Sequence, residues 1–149
     1  MKPVALFLLA LIAVAAAQTG CPLPFELVGD KCYHISKTMM TRQEAEDECT
    51  KLAPTGNTAA LAVLNDCAHQ AILWQHITEK TNYWIGASDE VEEGNWRWST
   101  GDEVLHGIPF WFPGQPNGGT DENFLSLSKN GYFADEAGTV RQGYICQLM

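Results

Sequence analysis

Basic residues are scarce in this chain. Its 149 residues hold 9 Lys and Arg against 18 Asp and Glu, a formal charge of −9. A surface that grips phosphate backbones needs the opposite sign, so nucleic-acid binding is excluded and anionic membrane surfaces are disfavoured. Familiar catalytic motifs are missing as well: there is no Gly-x-Ser-x-Gly elbow, no His-Glu-x-x-His and no phosphate-binding loop. Glu92 and Glu93 are neighbours on one acidic stretch, which does not make the facing carboxylates of a glycosidase cleft. Beyond residue 17 no apolar run nears the roughly 20 residues of a membrane span, so no membrane insertion is expected. Apolar residues themselves are plentiful, 46% against 18% charged, which argues against disorder.

The one long apolar run lies at the start. Lys2 precedes Val4–Val14, and Ala15-Ala16-Ala17 follows. That arrangement reads as a signal peptide over residues 1–17, cleaved near Gln18, rather than as a short retained anchor. Loss of Lys2 takes the formal charge from −9 to −10. The expectation is a secreted, extracellular protein of one domain, residues 18–149.

Secretion sets how the five cysteines are read: they should pair, yet their number is odd. Any one can be left over, and the other four pair in three ways. Cys21 and Cys32 flank a stretch with the turn signal Gly29-Asp30, which looks like a hairpin (residues 21–36) stapled at its ends. A Cys49–Cys146 bond would join the two ends of the fold, leaving Cys67 either as a buried thiol or as an intermolecular link that makes a homodimer.

Residues 41–52 predict a helix, with Thr41 and Glu44 at capping-box spacing and Ala45, Cys49 and Leu52 on one face. Leu61–Leu64 predicts a strand. Asn65 or Asp66 caps a second helix running to about Lys80, with Ala68, Ala71, Ile72, Leu73, Trp74 and Ile77 forming a broad apolar face. Strands are expected at 83–87, around Trp96 and Trp98, and at 124–127, 132–133 and 142–147. Between about 100 and 123, three prolines and five glycines leave a long irregular loop, which in a compact domain points to function. Of the consecutive rings Phe110, Trp111 and Phe112, one should face solvent, with Trp111 the candidate for stacking on a sugar; Trp84, Trp96 and Trp98 read as core. His34, His69, His76 and His106 show no ligand spacing and read as incidental.

In order along the chain stand Gly29-Asp-Lys-Cys-Tyr33, Ala45 to Cys49, Leu61-Ala-Val-Leu64, Trp84-Ile-Gly-Ala87, Glu93-Gly-Asn-Trp-Arg-Trp98, Gly114-Gln-Pro-Asn117, Glu122-Asn123 and Tyr144-Ile-Cys-Gln147. Together these resemble a C-type lectin-like domain of the long form, over essentially all of the chain after residue 20, in a style similar to secreted arthropod lectins. The resemblance implies an α+β fold: two helices packed on short antiparallel sheets, with a long irregular ligand-binding loop. It implies a carbohydrate-binding protein rather than an enzyme. In sugar-binding members a loop-bound Ca²⁺ holds two adjacent sugar hydroxyls, and such an ion wants roughly 6–8 oxygen ligands. Carried over by position, the sugar and calcium residues are Gln115, Asn117, Glu122 and Asp135. Asp89, Glu93 and Asn123 match an auxiliary calcium site, against the plainer reading of a solvated acidic turn.

Three departures bear on that expectation. Ala134 stands where the family's Asn supplies an oxygen. Gln115-Pro116-Asn117 carries two amides and no carboxylate, so a mannose- or galactose-type preference stays open. The family's inner disulfide is replaced by Phe124 and Gly138. Fewer ligands and less charge predict a weak Ca²⁺ site, roughly 10⁻⁴–10⁻³ M, or none, with Asp121 a candidate replacement carboxylate. The expected activity is recognition of glycans on microbial surfaces in innate defence. The alternatives are a Ca²⁺-independent protein-binding module on the same fold and, third, an ice-binding protein.

Overall fold

A computed structural model describes residues 20–106 and 110–149. The expected signal peptide lies outside the described residues. None of the helices described is long and apolar enough to cross a membrane.

The first elements of the described residues are a hairpin, β1 (Glu26–Val28) and β2 (Lys31–Met40), turned at Gly29, whose φ of 65° suits glycine. The Cys21–Cys32 bond ties this hairpin to the segment before it. Helix α1 (Arg42–Leu52) starts at a reciprocal cap: the Glu44 N–H donates to Thr41 Oγ1 at 3.3 Å and the Thr41 N–H to Glu44 Oε2 at 2.9 Å. Its inner face carries Ala45 and Cys49, both fully buried. β3 (Ala59–Leu61) starts two residues before the strand expected at Leu61–Leu64, and 62–64 are buried but irregular.

Helix α2 (Cys67–His76) begins where Asp66 accepts the N–H groups of Ala68 and His69. It ends four residues short of the expected Lys80, because the Lys80 ammonium folds back onto the carbonyls of Trp74 and Ile77 and satisfies the last turn. The face it buries also differs from expectation. His69, Gln70, Leu73 and Ile77 point inward, Trp74 is half-buried, and Ala68, Ala71 and Ile72 are exposed. The helix is apolar nearly all round, so composition selects no face; tertiary partners do. His69, expected to be incidental, packs on Tyr33 with ring centroids 5.5 Å apart.

The remaining strands are β4 (Tyr83–Ser88), β5 (Arg97–Trp98), β6 (Phe124–Leu127), β7 (Phe133–Glu136) and β8 (Gln142–Leu148). They form one network in the order β1-β2-β8-β4-β6-β7, with β3 on β8 and β5 on β4. The sheet is mixed rather than purely antiparallel, since β4 runs parallel to β8. Gly86 lets β4 cross close over β3: a Cβ there would lie 2.4 Å from the Leu61 carbonyl oxygen. The Cys49–Cys146 bond locks α1 to β8 across 97 residues of sequence. Trp84, Trp96 and Trp98 are buried, as is Trp111.

Where the inner disulfide was expected to be missing, an aromatic ring takes its room. The Phe124 ring lies over Gly138, whose added Cβ would come within 2.7 Å of it, and the Arg42 guanidinium covers the ring at 5.5 Å. Arg42 in turn donates its backbone N–H to the Gly138 carbonyl at 3.0 Å. Packing and a cation–π contact brace the segment beside the long loop.

Candidate functional site

The long loop is pinned to β7 by its own backbone. Phe133 N–H donates to the Phe110 carbonyl at 2.6 Å and Phe112 N–H to the Phe133 carbonyl at 2.9 Å, so 110–112 runs alongside the strand. Gln115 N–H then donates back to the Phe112 carbonyl at 2.9 Å, which sets the start of the Gln-Pro-Asn tripeptide. The Gln115–Pro116 peptide is cis.

Asp135 fastens the other end of that tripeptide. Its Oδ2 accepts the backbone N–H groups of Asn117 at 2.8 Å and Gly118 at 2.6 Å. The residue itself is only 3% exposed, and its Oδ1 is buried without a hydrogen-bond partner. Gln115 Oε1 is buried and unpartnered in the same way. Both residues line one open groove of about 340 Å³ together with Asn117, Glu122, Ala134 and Glu136. All four residues expected at the sugar and calcium site are thus brought together.

The electrostatics of this groove are those of crowded anions. Burial, then the Asp135 and Asp121 charges, hold the Glu122 carboxyl above the ordinary range. Burial, then the Glu122 and Asp135 charges, do the same to Glu136. Glu136 was missed by sequence reasoning. The signal was present, because residues two apart on a strand share a face and Ala134 was already placed at the site. Among the described residues, however, no three His, Cys, Asp or Glu side chains converge closely enough to hold a metal by themselves. A bound Ca²⁺ would depend on amide oxygens as well as carboxylates.

The expected stacking role of Trp111 is corrected. Its ring is 3% exposed, sandwiched by His106 at 6.0 Å and edge-on to Trp96 and Phe133. Phe110 is buried as well, and Phe112 is the ring that faces outward: it is 40% exposed and lines the groove.

At the auxiliary position the solvated-turn reading fails for Asp89, which is 3% exposed. Its Oδ2 accepts the Gly94 N–H at 2.8 Å, closing the acidic turn, while Oδ1 is buried without a partner. The Asp89 N–H donates to the Asn123 carbonyl at 3.2 Å, so these two meet through backbone, whereas Glu93 stands exposed. The Asn123 amide is already engaged with the Thr120 carbonyl at 3.1 Å. Cys67 is exposed at the start of α2, which excludes its reading as a buried thiol.

A family model described as "Lectin C-type domain" matches residues 38–148. Human "C-type lectin domain family 17, member A" is 32% identical over 85% of this chain, and the chicken "Hepatic lectin" is 27% identical over 83%. The chain spans 32% and 57% of the length of those two proteins. Among solved structures, C-type lectin CEL-I from Cucumaria echinata aligns with a TM-score of 0.75 at 26% identity, covering 87% of this chain and 97% of that one. A calcium-independent type II antifreeze protein aligns at 0.71 and 24% identity over 85% and 92%, a likeness of fold alone. The proteins named here do not show the finer likeness to arthropod lectins. Family match and fold agree, and the chain belongs to the C-type lectin domain family, a carbohydrate-binding rather than enzymatic fold.

Proposed function

We propose that this protein is a secreted lectin that binds glycan hydroxyls through a Ca²⁺ held in the Gln115–Asn117 groove. One observation carries the reading: two buried acceptors, Asp135 Oδ1 and Gln115 Oε1, lack donors in the same groove where Glu122 and Glu136 repel each other. Buried oxygens without donors and crowded carboxylates fit a hard cation. Gln115, Asn117, Glu122 and Asp135 would hold it, with Glu136 supplying the carboxylate beside Ala134. When bound, the ion supplies open coordination positions for two adjacent sugar hydroxyls. The protein's own part is to keep the loop in register through the Asp135 clamp and to offer the Phe112 ring to the apolar face of a pyranose. The chemistry suits hexoses of either the mannose or the galactose type, on microbial surfaces in an innate-defence setting. The test is retention on immobilised mannose and galactose with Ca²⁺ present and release by chelator; retention that ignores chelator overturns the calcium-bridged mechanism.

A second reading rests on Ala134 and on the lack of three converging metal-type side chains among the described residues. It is a Ca²⁺-independent protein-binding module, for which chelator and sugar competitor would both be without effect.

A further inference from the structure

Arginine is rare in this chain, yet Arg42 and Arg97 line one cleft of about 550 Å³ between the start of α1 and the β4–β5 connection. The cleft is larger than the loop groove and has the volume of a small-ligand site. Both guanidinium groups are already held in place. Arg42, only 7% exposed, donates from Nη1 to Glu46 Oε2 at 2.7 Å, and its guanidinium lies 5.5 Å over the Phe124 ring. Among the described residues its Nη2 has no partner, and unlike Nε it is not sealed from solvent. Arg97 is ordered by its neighbours: its Nε donates to Asn95 Oδ1 at 2.9 Å, and Asn95 Nδ2 to Glu92 Oε2 at 2.8 Å. Among the described residues Arg97 makes no ion pair, although acids outnumber bases 18 to 9. Glu46 and Glu90 line the same cleft, so its cations and carboxylates balance.

We propose that this cleft is a second, metal-free subsite that binds a neutral oligosaccharide. Charge balance selects the class. An anion would meet Glu46 and Glu90, and a cation would meet the two arginines. A sugar hydroxyl both donates and accepts, so a polyol uses guanidinium donors and carboxylate acceptors together. Ala87 and the half-buried Phe124 ring give its C–H groups an apolar floor. The cleft also lies beside the loop groove, because its Phe124 pairs with Glu136 of the groove across β6 and β7. Choosing a glycan over any other polyol rests on the lectin reading; binding in the cleft needs neither calcium nor the loop. A single sugar ring fills too little of the cleft to be retained there, so release of a monosaccharide by chelator still reports on the groove.

The test titrates the intact secreted chain, in chelator, with mannotetraose and with a tetragalacturonate of equal length. The side-chain Nε–H signals of Arg42 and Arg97 are followed by NMR. The expected result is saturable shifts of both signals with mannotetraose, and binding at least about tenfold weaker for the galacturonate and for mannose. Arg97→Ala should weaken mannotetraose about tenfold with Tm unchanged, since the side chain is exposed. Ser99→Tyr, at an exposed position on the rim, should fill the cleft and abolish binding without altering its charge. No shift of the arginine signals, galacturonate binding as tight as mannotetraose, or full affinity in Ser99→Tyr each overturns the proposal. Calcium-dependent retention on monosaccharide matrices tests the lectin reading separately. Its failure with mannotetraose still bound in chelator removes the calcium site and leaves the cleft, and the reverse result removes the cleft alone.

Discussion

Asp135→Ala separates two jobs held by one carboxylate. In chelator the variant loses the two bonds from the Asn117 and Gly118 N–H groups. Hydrogen bonds to a charged group contribute about 1.5–3 kcal/mol each when buried, and these are only part-buried, so the low end applies. About 1 kcal/mol returns, because an unpartnered oxygen leaves the interior and Glu122 and Glu136 lose a repelling neighbour. The net cost is about 2 kcal/mol, or a fall in Tm of roughly 6–8 °C for a domain of this size. The second job appears on adding Ca²⁺. With a dissociation constant of roughly 10⁻⁴–10⁻³ M, 10 mM Ca²⁺ stabilises the native state by about 1.4–2.7 kcal/mol. Wild type should gain that increment and Asp135→Ala should not. Thermal melts by circular dichroism, with and without chelator, read both effects. An unchanged Tm in chelator would refute the clamp. An equal Ca²⁺ increment in the variant would place the ion elsewhere, and no increment in wild type would end the calcium reading while leaving the clamp intact.

Other substitutions test the remaining structure. Phe112→Ala should leave Tm within about 1 °C but weaken retention on a sugar matrix by roughly 0.5–1.5 kcal/mol, whereas Trp111→Ala should cost about 3–5 kcal/mol in urea unfolding. Phe124→Ala empties the space over Gly138 and strips Arg42 of its aromatic partner; a loss of about 2–3 kcal/mol is expected, less than for a fully buried ring. His69 supplies a pH test. Burial, then the Lys31 charge, hold its imidazole below the ordinary 6.5 despite Asp30 and Asp66. The unfolded chain therefore binds a proton more readily than the folded one, and stability should fall as pH drops from 6.5 toward the lowered value. His69→Gln should flatten that part of a Tm-against-pH profile, and an unaltered slope would discount the group.

Much of the fold was legible along the chain. The capping box at Thr41 and Glu44, the Gly29 turn and the alternation of Trp96 and Trp98 are local devices, so short-range rules sufficed. Both disulfides are the pairs expected, Cys21–Cys32 at the N-terminal hairpin and Cys49–Cys146 between distant parts of the chain. Gln115, Asn117, Glu122 and Asp135 were grouped through the resemblance to the lectin family, and the fold brings them to one groove.

Other features needed three dimensions. Trp111 and Phe112 are chemically alike on paper, and only the pinning of 110–112 to Phe133 decides which ring is buried. Helix α2 offers apolar residues on nearly every side, so its inward face was chosen by Tyr33 and Gly131 rather than by its own periodicity. Glu136 joins the groove because β7 turns it to the side of Ala134. Asp135 acts as a clamp because backbone from 117 and 118 arrives beside it. Local chemistry thus determines which segments can be helix, strand or turn, since those propensities live within a few residues. Which side of each segment faces the core, and which oxygens are left without donors, depends on long-range packing that no local window contains.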